Sequence, residues 1–172
     1  FTDADNFWNN VNGNQDEIAT DAHWGSEMTY DYFMNEYNRN SIDGNGFTLK
    51  SYVHYSSNYN NAFWDGQRMT YGDGSGSYDP FTALDIAGHE ISHGLTNFTA
   101  DLVYSYESGA LNESFSDIFG TSVEFYAKPS QANWLCGEDI GVVLRDLSNP
   151  NAYGDPDTYQ GTNWYTGTGD NG

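Results

Sequence analysis

Polar and apolar positions along the chain follow a helical period first, then a strand period, then a helical one again. From Asp21 to Asn40 the pattern predicts a helix: Trp24 and Met28 share a face, Thr20 or Asp21 can cap it, and Asn40 to Gly46 forms a polar, glycine-containing exit. Phe47, Leu49, Ser51, Val53 and Tyr55 then alternate with Thr48, Lys50, Tyr52 and His54, which is the period of a strand. Asn61 to Trp64 and Gln67 to Tyr71 flank Asp65-Gly66, a sequence suited to a tight hairpin turn. A second helix is expected from about Ala83 to Asn97, with Pro80 and Thr82 at its start. A third is expected from about Ser108 to Tyr126. There Leu111, Phe115, Ile118, Phe119 and Val123 form an apolar stripe, and Lys128-Pro129 ends the helix. Beyond Gln131 the chain turns rich in Gly, Asn and Asp. Strands early and helices late make an α+β order. Residues 1–97 read as a strand-rich α+β part holding the hairpin edge strand and the second helix, and 98–172 as the beginning of a mainly helical lobe.

Composition narrows the partners. Aromatic residues make up 17% of the 172, too many for a disordered chain. No apolar run is long enough to span a membrane. The net charge of −20 repels phosphate backbones and anionic lipid, so nucleic acid and membrane are not expected partners, whereas cations are welcome. The single cysteine, Cys136, rules out a disulfide within the chain and any multi-cysteine zinc cluster, and reads as a small hydrophobe. Phe1-Thr2-Asp3-Ala4-Asp5 lacks the basic start and apolar stretch of a signal peptide, so the chain is either cytosolic or a processed piece of an exported protein.

The chemistry concentrates in the second helix, at His89-Glu90-Ile91-Ser92-His93. Residues four apart lie one above the other on a helix, so both imidazoles project from one face and can grip one Zn²⁺. Glu90 is turned off the metal axis, where it can act as base toward a metal-activated water. A catalytic zinc needs a third protein ligand and an open position. Glu113 and Asp117, also four apart, stand on the third helix: one can complete the zinc shell while the other accepts a hydrogen bond from a liganding imidazole.

With Asn112-Glu113-Ser114-Phe115-Ser116-Asp117 one loop downstream of the H-E-x-x-H pentad, the sequence resembles the thermolysin-like neutral zinc metallopeptidases, which carry an N-E-x-x-S-D motif there. The similarity runs through nearly the whole chain, including Asn60-Asn61-Ala62-Phe63-Trp64, Tyr104 with Glu107-Ser108-Gly109-Ala110, and Gly137-Glu138-Asp139. The resemblance implies a zincin fold and assigns roles. His89, His93 and Glu113 would bind zinc, with Asp117 supporting a histidine. Glu90 would be general base and proton shuttle, and Tyr104 would donate to the oxyanion. Asn61 and Ala62 would hold the substrate backbone, and Arg145 a substrate carbonyl. Ile86, Leu144 and Phe81 would line the pocket for the residue after the cut. A structural Ca²⁺ would sit among Asp85, Glu124 and Glu138, with Asn133 where an aspartate is usual; Asp3-Ala4-Asp5 resembles a further calcium loop.

The implied protein is a secreted, extracellular zinc endopeptidase. It would cut peptides or proteins on the amino side of bulky apolar residues. In the family, Asp170-Asn171-Gly172 leads into a histidine that assists the transition state, oriented by an aspartate matching Asp170; this chain ends before that histidine. The sequence therefore leaves three histories open: a nicked enzyme whose remaining C-terminal part is a partner, a partial chain, or a natural short form. The alternative function is a zinc- and calcium-stabilised inactive fragment or peptide-binding pseudoenzyme.

Overall fold

Residues 16–167 are described, by a computed structural model; Asp3, Asp5 and Asp170 lie outside them. Helix α1, Asp16–Tyr37, starts earlier than its pattern suggested and ends three residues sooner. Its buried residues, Ile18, Ala22, Gly25, Thr29, Tyr32 and Phe33, recur at three- and four-residue steps. Trp24, on another face, is 36% exposed. The end is set by Asn38, whose φ of 51° is left-handed, and by the Arg39 N–H, which bonds back to the Phe33 carbonyl at 3.0 Å.

A three-stranded sheet follows in the order β1-β3-β2: β1 Ser51–Tyr52, β2 Ala62–Trp64 and β3 Met69–Tyr71. The expected hairpin is present, with Ala62 opposite Tyr71 and Trp64 opposite Met69. Asp65 Oδ1 accepts the Gln67 and Arg68 N–H groups at 2.9 and 3.0 Å, and Gly66 takes a φ of 92°. The long strand expected from Phe47 to Tyr55 shrinks to β1, parallel to β3. His54 has a left-handed φ of 62°, which breaks the extended run even though the Tyr55 N–H still reaches the Tyr71 carbonyl.

Two long helices carry the rest. Helix α2 is Leu84–Asn97; its cap residue is Ala83, which makes no side-chain bond, so Thr82 does not cap it as expected. Helix α3 is Tyr106–Ala127. A two-stranded ribbon, β4 Leu135–Cys136 and β5 Arg145–Asp146, sets Cys136 opposite Arg145; no sequence period announced it.

The helices approach so closely that glycine is required at the crossings. A Cβ on Gly25 would stand 2.5 Å from that of Ala87, and one on Gly120 would stand 2.4 Å from the Asp85 carbonyl oxygen. The core gathers Tyr71, Met69, Ile42, Ile91, Val123 and Ile140 around α2, all essentially without solvent exposure. One expectation is reversed. Of the predicted α3 stripe only Val123 is fully buried and Phe119 partly packed, while Leu111, Phe115 and Ile118 are 51%, 42% and 47% exposed. The face of α3 turned inward instead bears Asn112, Ser116, Asp117, Gly120, Thr121 and Glu124.

Candidate metal centre and cleft

The inward polar face of α3 meets the histidine face of α2. His89 Nε2 and His93 Nε2 stand 3.0 Å apart, Glu113 Oε2 is 3.2 Å from His89 Nε2, and Glu113 Oε1 is 3.5 Å from His93 Nε2. Among the described residues, this is the one set of three or more His, Cys, Asp or Glu side chains with ligand atoms all within 4.8 Å of one another. A tetrahedral zinc with ligand bonds of about 2.0–2.1 Å separates its donors by roughly 3.3–3.4 Å. The three distances bracket that edge, so the donors fit the ion.

The far side of each ring is held. His89 Nδ1 donates to Asp117 Oδ1 at 2.7 Å, and Asp117 is gripped in turn by Arg145, from Nε to Oδ2 at 2.6 Å and from Nη2 to Oδ1 at 2.7 Å. His93 Nδ1 donates to Asn112 Oδ1 at 2.7 Å, with Ser116 Oγ at 3.1 Å. Both rings are thereby turned with Nε2 toward the shared point. Asn112 and Ser116 had no role in the sequence reading, although their four-residue spacing within N-E-x-x-S-D could have shown them to share a face with Glu113 between them.

Burial and charge pull against each other here. Burial alone would lower His89, but its bonds to Asp117 and Glu113 push it up to about 10. Burial raises Asp117, yet His89 and Arg145 bring it down to about 2. Glu90 is lifted to about 7 by burial and by the Glu113 charge, against the pull of His89; its carboxylate accepts the Trp64 backbone N–H from edge strand β2. Acid and base are thus separated among neighbouring carboxylates by environment.

The centre opens into a cleft of about 850 Å³, within the usual range for a ligand site. Every residue expected to touch substrate lines it: Asn61, Ala62, Phe81, Ile86, Leu144 and Arg145. Cys136 and Thr121 form part of the same wall, with burial raising the Cys136 thiol to about 12. Tyr104 also lines the cleft, but its hydroxyl, expected to face an oxyanion, donates to Glu113 instead. Arg145, expected on a substrate carbonyl, has two guanidinium nitrogens engaged by Asp117.

The expected calcium residues are neighbours at the first turn of α2. Asp85 accepts the Gly137 and Ile86 N–H groups at 2.5 and 2.8 Å, and Glu138 Oε1 accepts Asn133 Nδ2 at 2.6 Å. Glu124 Oε2 and Glu138 Oε2 are buried without a hydrogen-bond partner. Burial, then Asp85 and Glu138, raise Glu124 to about 7. Buried carboxylate oxygens left unpaired beside one another suit a hard, oxygen-seeking cation, although the three side chains are not drawn together within 4.8 Å as the histidine site is.

Two imidazoles and a carboxylate converging beside such a cleft define the class, a candidate metal-binding protein whose metal would keep an open position. Comparison with known proteins makes it specific. Residues 1–97 match the family model described as the thermolysin metallopeptidase catalytic domain, and residues 100–172 match that of the thermolysin metallopeptidase alpha-helical domain. The chain belongs to the thermolysin metallopeptidase family. It is 51% identical over 180 residues to a bacillolysin of Brevibacillus brevis, with 100% of this chain and 32% of the relative covered. It is 50% identical over 165 residues to a thermolysin of Alicyclobacillus acidocaldarius, with 91% and 30% covered. The solved precursor of protealysin, a metalloproteinase from Serratia proteamaculans, superposes with a TM-score of 0.74 at 39% identity, over 81% of this chain and 47% of that one. The chain therefore spans about a third of the length of the curated relatives it matches. Among the described residues no helix is long and apolar enough to cross a membrane.

Proposed function

We propose that this chain is the zinc-binding part of an exported endopeptidase that cuts on the amino side of bulky apolar residues. The observation that carries this reading is the convergence of His89 Nε2, His93 Nε2 and the Glu113 carboxylate at tetrahedral-edge distances. Zinc held by these three would supply a Lewis acid that polarises a carbonyl and acidifies a water. Glu90, held by the Trp64 N–H at the cleft wall, takes the proton of the attacking water and delivers it to the leaving amine nitrogen. Ala62 and Asn61, on and beside the edge strand, pair with an extended peptide through main-chain bonds that ignore side chains. Selectivity then falls to the apolar pocket of Phe81, Ile86 and Leu144. Arg145 orders that pocket through Asp117. Tyr104 leaves Glu113 to donate to the carbonyl oxygen as charge develops there. Residues 1–97 and 98–172 supply the two sides of the cleft, and one calcium ion is held by Asp85, Glu124 and Glu138.

Glu90→Gln tests the reading: zinc content, measured by atomic absorption, should stay at one per chain while peptide turnover falls by at least about 10²-fold. Turnover near the parent rate would remove Glu90 from the mechanism. The second reading, a chain that binds peptide without cutting it, is favoured by one observation, the Tyr104 hydroxyl turned onto Glu113. Chelator-sensitive cleavage by the purified chain alone would eliminate it.

A further inference from the structure

The cleft lies along α2, and different groups stand at its two ends. At the end near the first turn of the helix are Ile86, Phe81 and Arg145, the last tied through Asp117 to His89, the earlier of the two histidines. At the other end are Asn97, Gly66 and Asp101, with Asn97 about 16 Å beyond Ile86 along a helix rising 1.5 Å per residue. The Asp101 N–H bonds to the Thr96 carbonyl at 2.8 Å, which fixes this residue to the last turn of α2.

Asp101 differs from the other carboxylates of the cleft. Asp85, Glu90, Glu113 and Asp117 are buried or ion-paired within the protein. Asp101 is exposed, and among the described residues its carboxylate has no hydrogen-bond or ion-pair partner. Its φ of 46° is left-handed, a conformation that costs energy outside glycine and that Asp and Asn tolerate best. The last turn of α2 contains no basic residue, so the negative end of the helix dipole adds to the Asp101 charge.

From this placement we infer that Asp101 is a specificity-determining residue, forming an acidic subsite that takes a lysine or arginine side chain of the peptide on the amino side of the cut. The direction rests on the proposed function, in which the apolar pocket at the opposite end takes the residue after the cut. A peptide lying along the cleft then places its preceding residues toward Asp101. The preference is modest, because the carboxylate is exposed and screened by salt.

The test uses zinc-loaded chain and labelled peptide hydroxamates carrying Lys, Gln or Glu at each position preceding the metal-binding group, with affinity read by anisotropy. The matching cleavable peptides are assayed in parallel. At low salt, Lys should bind about two- to five-fold more tightly than Gln at one position, and Glu more weakly than Gln. Asp101→Asn, which keeps the tolerance for the left-handed backbone, should bring the Lys-to-Gln ratio to about one, as should high salt. A parent ratio of one, or a ratio that survives in the variant, would overturn the inference. Tight binding with the Lys preference intact but no turnover would count against the hydrolytic reading and leave the subsite standing. Failure of every hydroxamate to bind would overturn both.

Discussion

At the scale of single residues, the two histidines are held by unequal partners. His89 leans on a carboxylate that is itself clamped by Arg145, whereas His93 leans on a neutral amide and a hydroxyl. Charge-assisted bonds are roughly twice as strong as neutral ones, so the supports should rank. Asp117→Asn is expected to weaken zinc binding by about 10- to 100-fold. It should also destabilise the fold by about 1–3 kcal/mol, because the partly exposed Arg145 loses its charged partner and keeps only a neutral acceptor. Asn112→Ala should fall at the lower end of the same zinc range. Competition against a chromophoric chelator gives both affinities, and equal losses would contradict the ranking.

At the scale of elements, the spacing of α2 and α3 decides whether Glu113 reaches the histidines. That spacing depends on Gly120, whose added Cβ would press within 2.4 Å of the Asp85 carbonyl oxygen on the facing helix. Gly120→Ala should cost about 1–3 kcal/mol in denaturant unfolding and weaken zinc binding as Glu113 is levered away. A lower stability with unchanged zinc affinity would show that the crossing does not set the donor distances. The sequence made the helices and hairpin legible because apolar period and the Asp-Gly turn are local signals. It overstated the strand from Phe47 because alternation says nothing of whether a neighbouring strand is present to pair. It turned α3 the wrong way for a related reason. The face that packs on α2 is polar and has its needs met by His89, His93 and Arg145, a compensation visible only across elements. The ribbon bearing Arg145 went unseen because two-residue strands have no period. The two histidines of the candidate centre, by contrast, were readable from spacing alone, which left Glu113 and Asp117 as alternatives for the third position until the family resemblance chose Glu113. The orienting partners Asn112 and Ser116 were overlooked, though the same spacing places them on that face.

At the scale of the whole molecule, a net charge of −20 works against compaction. The group of buried Asp85 and Glu124 with half-buried Glu138 concentrates that cost at one place. Calcium at about 100-fold above its Kd should therefore raise Tm by about 5–10 °C, and Glu124→Gln should abolish most of the rise. A calcium-independent Tm in the parent chain would remove the ion from the account.

The claim on which function rests is that one zinc ion is held by His89, His93 and Glu113. X-ray absorption at the zinc edge, on chain loaded to one equivalent, tests it most directly. The account predicts two imidazole nitrogens and a carboxylate oxygen at about 2.0–2.2 Å with one further light ligand, and loss of the two-imidazole signature in His93→Ala. Zinc bound only by oxygen donors, or a spectrum unchanged by that substitution, would contradict it.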